Sequence, residues 1–216
     1  MPIAVVLSHA DVADELGHIG GWLDRHGYSV SRVHRESPID DLRGDLLIAL
    51  GSPESVATGF AKAPALAEVD LVSRWVGQGR PYVGVCFGAQ VLACALGGSV
   101  RRMPSTFRSY VGFELADGAP SELGGRWSVW HEDAIVAPVS STVLASLPHA
   151  DAVFRRGRAW GVQSHIEFDS DIVRRLVDKM SVKPGDWESL YDDLRADDEG
   201  HSRRVSALLD VMSEDF

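Results

Sequence analysis

The chain has 216 residues and a formal charge of −10, with 45% apolar and 24% charged residues. The length suits one α/β domain and is tight for two, and the composition excludes a largely disordered chain. The acidity argues against nucleic acid as a partner, because a negative surface repels phosphates.

Ile3 to Leu7 reads as a buried parallel strand. Val12, Leu16, Ile19 and Leu23 then share one helical face, and Gly27 stops that helix. Tyr28 to Val33 and Asp45 to Leu50 are the next strands, the latter ending at Gly51-Ser52-Pro53. Val69, Val72, Trp75 and Val76 form a second helical stripe, broken at Gly79-Arg80-Pro81. Tyr82 to Cys86 is a strand, and Ala89 to Leu96 a helix that ends at Gly97-Gly98. From Ser99 to Arg158 the pattern changes to short alternating runs (Arg126 to Trp130, Ala134 to Val136, Ala152 to Arg155), expected as antiparallel strands added to the edge of a parallel core. Ala159 to Ser164 returns as a strand, and Ile172, Val173, Leu176, Val177 and Met180 make the helix after it. This order predicts an α/β fold with an open, doubly wound, mostly parallel sheet and an antiparallel β extension. The expected division is a domain over residues 1–180 and an acidic helical extension over 181–216, with two amphipathic helices around Gly200.

Cys86 and Cys94 lie in one short segment that a disulfide would have to bend, so they read as reduced thiols. The start of the chain lacks a signal peptide's basic region, and no apolar run is long enough to cross a membrane. A cytoplasmic location without a membrane partner is expected. No metal-ligand spacing and no phosphate loop is present in the pattern, so no cofactor or metal is expected.

The strongest chemical signal is Gly84-Val85-Cys86-Phe87-Gly88-Ala89-Gln90. An apolar strand runs into a cysteine and a helix follows at once, which is the thiol form of a nucleophile elbow. Small flanking residues permit the sharp turn. The helix start favours negative charge at Cys86, and the Phe87 N–H is placed to meet an oxyanion. The bland alternative is a tight strand–helix turn with a buried cysteine. The second signal is Gly161 to Glu167, where a strand leads into His165 with Glu167 two residues on. A thiol nucleophile needs a base, and the base needs a group to fix its tautomer. The third is Gly51, at a strand end, able to offer its N–H to a ligand.

At these residues the chain resembles the class I glutamine amidotransferases of the triad type, in the manner of the amidotransferase part of GMP synthases. The elbow fits Gly-x-Cys-x-Gly-x-Gln at every fixed position, and the three stretches fall in the family order. Trp130-His131-Glu132-Asp133 is similar to the family's Trp-His-Gly-Asp, with Glu132 in place of the glycine. The family's Gln-Phe-His-Pro-Glu is Gln163-Ser164-His165-Ile166-Glu167 here, and Ser164 is expected to leave a smaller, more polar pocket wall. The resemblance implies a flavodoxin-like core and hydrolysis of the glutamine amide by Cys86, His165 and Glu167. It further implies an oxyanion hole from Gly51 and Phe87, and substrate contacts from Gln90 and from the backbone of His131, Glu132 and Asp133. The implied partners are glutamine or another γ-glutamyl small molecule and a synthase subunit in trans. Two alternatives remain at this stage: a free-standing γ-glutamyl hydrolase, and a non-catalytic binding subunit.

Overall fold

A computed structural model describes residues 1–39, 42–57 and 64–216, with the backbone alone at residues 64 and 65. In chain order the elements are β1 (Ile3–Ser8), α1 (Gly17–Arg25), β2 (Ser29–His34), β3 (Leu46–Ala49), α2 (Pro64–Gly77), β4 (Tyr82–Val85) and α3 (Phe87–Ala95). There follow β5 (Ser99–Gly112), β6 (Glu114–Leu115), β7 (Arg126–Val136), β8 (Thr142–Leu147), β9 (Ala150–Arg156) and β10 (Ala159–Val162). The chain closes with α4 (Ser170–Met180), α5 (Glu188–Ala196) and α6 (Asp198–Ser213).

The main sheet runs β2-β1-β3-β4-β10-β9-β8-β6. β2, β1, β3, β4 and β10 are parallel, and β9, β8 and β6 extend them antiparallel. The inner parallel strands β1, β3, β4 and β10 are largely apolar because helices cover both faces, whereas the edge strand β2 is polar and partly exposed. Side chains alternate between two cores, as a pleated strand demands. Ala4, Val6, Leu46, Ile48, Val83 and Val85 pack with α1 and α6, through Ile19, Trp22, Leu208 and Met212. Val5, Leu7, Leu47, Ala49 and Tyr82 pack with α2 and α3, through Val72, Trp75, Val91 and Leu92. A third cluster joins Tyr110, Trp130 and Phe168 to α4 and α5.

Three expectations are corrected. The first helix begins at Gly17 rather than Val12, because residues 9–16 are held otherwise: His9 bridges Ala13, and Asp14 accepts from the Ser8 hydroxyl and from Arg32. Arg126 to Trp130 and Ala134 to Val136 are parts of one strand, which pairs with β5 in a separate two-stranded sheet instead of joining the edge of the core. That ribbon is held over the strand ends by a backbone bond from the His165 N–H to the Ser128 carbonyl (2.8 Å), and it breaks register between Arg102 and Phe107. In the tail the helices divide at Asp197, with Gly200 inside α6. Asp197 fixes that corner by accepting from the Tyr110 hydroxyl (2.9 Å) and Arg204 (2.7 Å).

Candidate active site

β3, β4 and β10 lie side by side and point the same way, so Gly51, Cys86 and His165, which follow them, meet at one edge. The elbow at Cys86 has φ 50° and ψ −105°, a conformation that costs a non-glycine residue about 1–3 kcal/mol. Two close approaches hold it. A Cβ on Gly84 would lie 2.6 Å from the Gly88 carbonyl, and one on Gly88 would lie 2.1 Å from the Ala49 carbonyl oxygen. Only glycines let α3 sit this near β3 and β4. The Cys86 N–H is spent on the Val162 carbonyl (2.8 Å). Phe87 opens α3, and a first helical N–H has no acceptor within its helix.

His165 is 7% exposed and Glu167 3%. Their side chains meet at 2.7 Å between Nδ1 and Oε1, and Phe168 stacks on the imidazole with centroids 4.1 Å apart. His165 Nε2 lies 3.1 Å from the Trp130 carbonyl oxygen, and Cys86 Sγ lies 3.6 Å from that same oxygen. A carbonyl can only accept, and Glu167 takes the Nδ1 proton, so the Nε2 contact belongs to the imidazolium. Burial works against that charged form. The Glu167 charge, Cys86 and the hydrogen bonds to both outweigh it and hold the His165 pKa well above its ordinary value.

Gly51 completes this edge. A Cβ placed on it would lie 3.1 Å from His165 Cε1 and 3.9 Å from Cys86 Cβ. The cleft here is lined by Gly51, Cys86, Gln90, His165 and Glu167 and by residues 130–133 of β7. Gln90 Nε2 donates to the Asp133 carbonyl (3.3 Å), which ties α3 to the ribbon. The side chains of the 131–133 stretch are engaged. His131 Nε2 meets His149 Nε2 at 2.8 Å. Glu132 binds Thr106 (2.7 Å) and Arg102, and Asp133 accepts from the Ser55 hydroxyl (2.6 Å) and the Ala57 N–H (3.2 Å). Burial, with the nearby His149 and His165 charges, pushes His131 down to about 3, so it is neutral at ordinary pH.

The expected role of Ser164 as a pocket wall is not met. Ser164 is wholly buried and does not line the cleft; Ile166 is buried in the core below, and the aromatic surface against the imidazole comes from Phe168. Sequence reasoning also missed Arg35 and Glu68. Arg35 follows β2 among polar residues, yet it is 4% exposed, paired with Glu68 at 3.2 Å, and bonded to the carbonyls of Leu50 (3.1 Å) and Gly51 (2.7 Å). Arg102 was missed too, because its partners Glu132 and Asp133 lie across the ribbon. Among the described residues no cluster of three or more His, Cys, Asp or Glu could hold a metal ion, and no helix is long and apolar enough to cross a membrane.

This fold, with an elbow cysteine facing a histidine and a glutamate, matches a known enzyme class. A family model described as Glutamine amidotransferase class-I matches residues 22–171, and the chain belongs to that family. A glutamine amidotransferase-like protein, YfeJ, of Salmonella typhimurium is 27% identical over 72% of this chain and 72% of its own length. The glutamine-hydrolysing GMP synthase of Syntrophomonas wolfei is 31% identical over 66% of this chain but only 29% of its own length. Among solved structures, a glutamine amidotransferase from Thermotoga maritima superposes with a TM-score of 0.79 at 20% identity, covering 98% of this chain and 97% of that one.

Proposed function

We propose that this chain hydrolyses the side-chain amide of glutamine through Cys86, His165 and Glu167. The observation that carries the reading is the line from Glu167 through His165 to Cys86, meeting at the Trp130 carbonyl beside Gly51. Cys86 Sγ attacks the amide carbon, and the oxygen that becomes negative is met by the N–H groups of Gly51 and Phe87. His165 gives its Nε2 proton to the departing nitrogen as the C–N bond breaks, which leaves a γ-glutamyl thioester and ammonia. Water then attacks the thioester. His165 takes its proton, the C–S bond breaks, and glutamate leaves. Glu167 keeps the imidazole turned and stabilises its charge. Gln90 and the backbone of residues 131–133 hold the rest of the substrate, since the side chains of that stretch are already engaged.

Residues 181–216 act in this reading as a helical cover on the catalytic domain. The likeness to a glutamine-hydrolysing GMP synthase supports use of the ammonia by a synthase partner, which the resemblance implies as a subunit in trans. Ser164 is buried and off the cleft, which supports glutamine rather than a γ-glutamyl amine as the substrate.

Incubation with L-glutamine tests the proposal, with ammonia and glutamate both measured and Cys86→Ser as the control. Equal release of the two products by the wild type and none by the variant is the expected result. Turnover that survives Cys86→Ser would sink it.

A further inference from the structure

The Arg35–Glu68 pair lies behind the strand end that carries Gly51. All of its charge is out of water: Arg35 is 4% exposed and Glu68 1%. Burying an ion pair costs several kcal/mol of desolvation, and a packed apolar pair of the same volume is often as stable. Stability alone therefore gives little reason for it. Its contacts give a better one. The guanidinium spends Nε and Nη2 on the Glu68 carboxylate (3.2 and 3.4 Å), Nη1 on the Gly51 carbonyl (2.7 Å) and Nη2 also on the Leu50 carbonyl (3.1 Å). The Arg35 backbone is itself pinned by its N–H to the Ser8 carbonyl (3.0 Å).

The Leu50 carbonyl and the Gly51 N–H belong to one planar trans peptide, and its two polar ends point in opposite directions. A cation gripping the carbonyl end turns the N–H end away from itself and makes it a stronger donor, because hydrogen bonds in a chain polarise one another. The same guanidinium carbon sits 4.7 Å from the centroid of the Phe87 ring, on the residue that offers the other N–H. One buried cation thus touches both residues assigned to the oxyanion hole, and Glu68 fixes its orientation.

We propose that Arg35, clamped by Glu68, is a positioning residue for amide hydrolysis: it orients and polarises the Leu50–Gly51 peptide so that the Gly51 N–H meets the transition-state oxyanion. The inference rests on the function proposed above. It differs from a purely structural tie in which step it affects. An oriented donor acts on a tetrahedral oxyanion and does nothing for a displacement at saturated carbon.

The test compares Arg35→Lys and Arg35→Met/Glu68→Met with wild type in three measurements: glutamine kinetics, the rate of Cys86 alkylation by iodoacetamide, and inhibition by glutamate γ-semialdehyde. The aldehyde adds the thiol across its carbonyl and so mimics the tetrahedral state. The lysine variant keeps the charge but cannot serve both carbonyls and Glu68. The double variant removes the pair without stranding a charge, so it covers the case in which Arg35→Lys fails to fold. The expected result is a fall in kcat of about 10–100-fold, less than the loss of a whole oxyanion donor, with KM and alkylation changing by less than about threefold. The aldehyde should lose affinity by the same factor as kcat/KM. A folded variant that keeps kcat within about threefold of wild type overturns the inference. So does a fall of alkylation in step with kcat, because that marks collapse of the site. Wild type that neither releases ammonia nor is alkylated at Cys86 overturns the proposed function, and this inference with it.

Discussion

Glu167 and His165 are two residues apart and both buried, so the single 2.7 Å bond between them governs the charge of the imidazole. Glu167→Gln keeps the shape and removes the charge that holds His165 in its protonated form. The His165 pKa should then fall. In the wild type the rate should decline as pH rises through that raised pKa, since the leaving nitrogen needs the His165 proton. In Glu167→Gln this basic limb should move to lower pH, with a loss in kcat of about 10²-fold or more at the optimum. A pH–rate profile of glutamine hydrolysis checks it, and an unmoved basic limb would show that Glu167 does not set the charge of His165. Cys86, His165 and Glu167 were legible in the sequence because each sits in a short contiguous pattern whose spacing already implies a turn. Arg35 was not, because its meaning depends on Glu68, 33 residues away, and on carbonyls 15 and 16 residues away.

Between elements, the contact that sets the site is the crossing of α3 over β3. Gly88 touches Ala49 so closely that a methyl group there would lie 2.1 Å from a backbone oxygen, which cannot rotate aside. Gly88→Ala should push the start of α3 away from the sheet and tilt Cys86 off His165. A loss of about 1–3 kcal/mol, typical of forced overpacking, is expected in urea unfolding, together with slowed Cys86 alkylation. An alanine variant of unchanged stability would show that the helix has slack there. The inner parallel strands are legible because burial on both faces leaves them largely apolar, and the elbow because small residues flank a polar one at a strand end. The first helix starts five residues later than its apolar stripe implies, for a related reason. Val12 continues the apolar stripe of Leu16, Ile19 and Leu23, but it lines the cleft rather than the core. An apolar residue facing a ligand and one facing the core look alike in a periodic pattern. The β5–β7 ribbon was misplaced because alternation marks a strand and does not say which sheet receives it.

For the molecule as a whole, buried imidazoles make stability fall in acid. His201 on α6 is wholly buried among Trp127, Tyr110 and His18, with ring centroids 5.6–5.7 Å away, and neither ring nitrogen has a partner among the described residues. Burial foremost, with the charges of His18 and Arg204, pushes His201 down to about 3, and His131 is held equally low. Each stays neutral in the native state but takes a proton in the unfolded chain below about pH 6.5. The unfolded state therefore binds more protons in that range, and stability falls as pH drops from 6.5 toward 3. His165 does not oppose this. Its pKa is raised, so it is protonated in both states below 6.5, and its stabilising effect is lost only as pH rises through its native value. Comparing pH 7.5 with pH 5 stays above the ordinary carboxylate range, and the stability that His165 adds as pH falls from 7.5 to 6.5 is common to both proteins compared. His201→Leu removes one titrating group and leaves an apolar side chain in an apolar site. The stability lost between those two pH values, read from urea unfolding, should shrink by about 2 kcal/mol relative to wild type, since one proton over 1.5 pH units is worth that much. Parallel curves for the two proteins would mean that His201 is solvated or already charged in the native state, and that the acid sensitivity lies elsewhere.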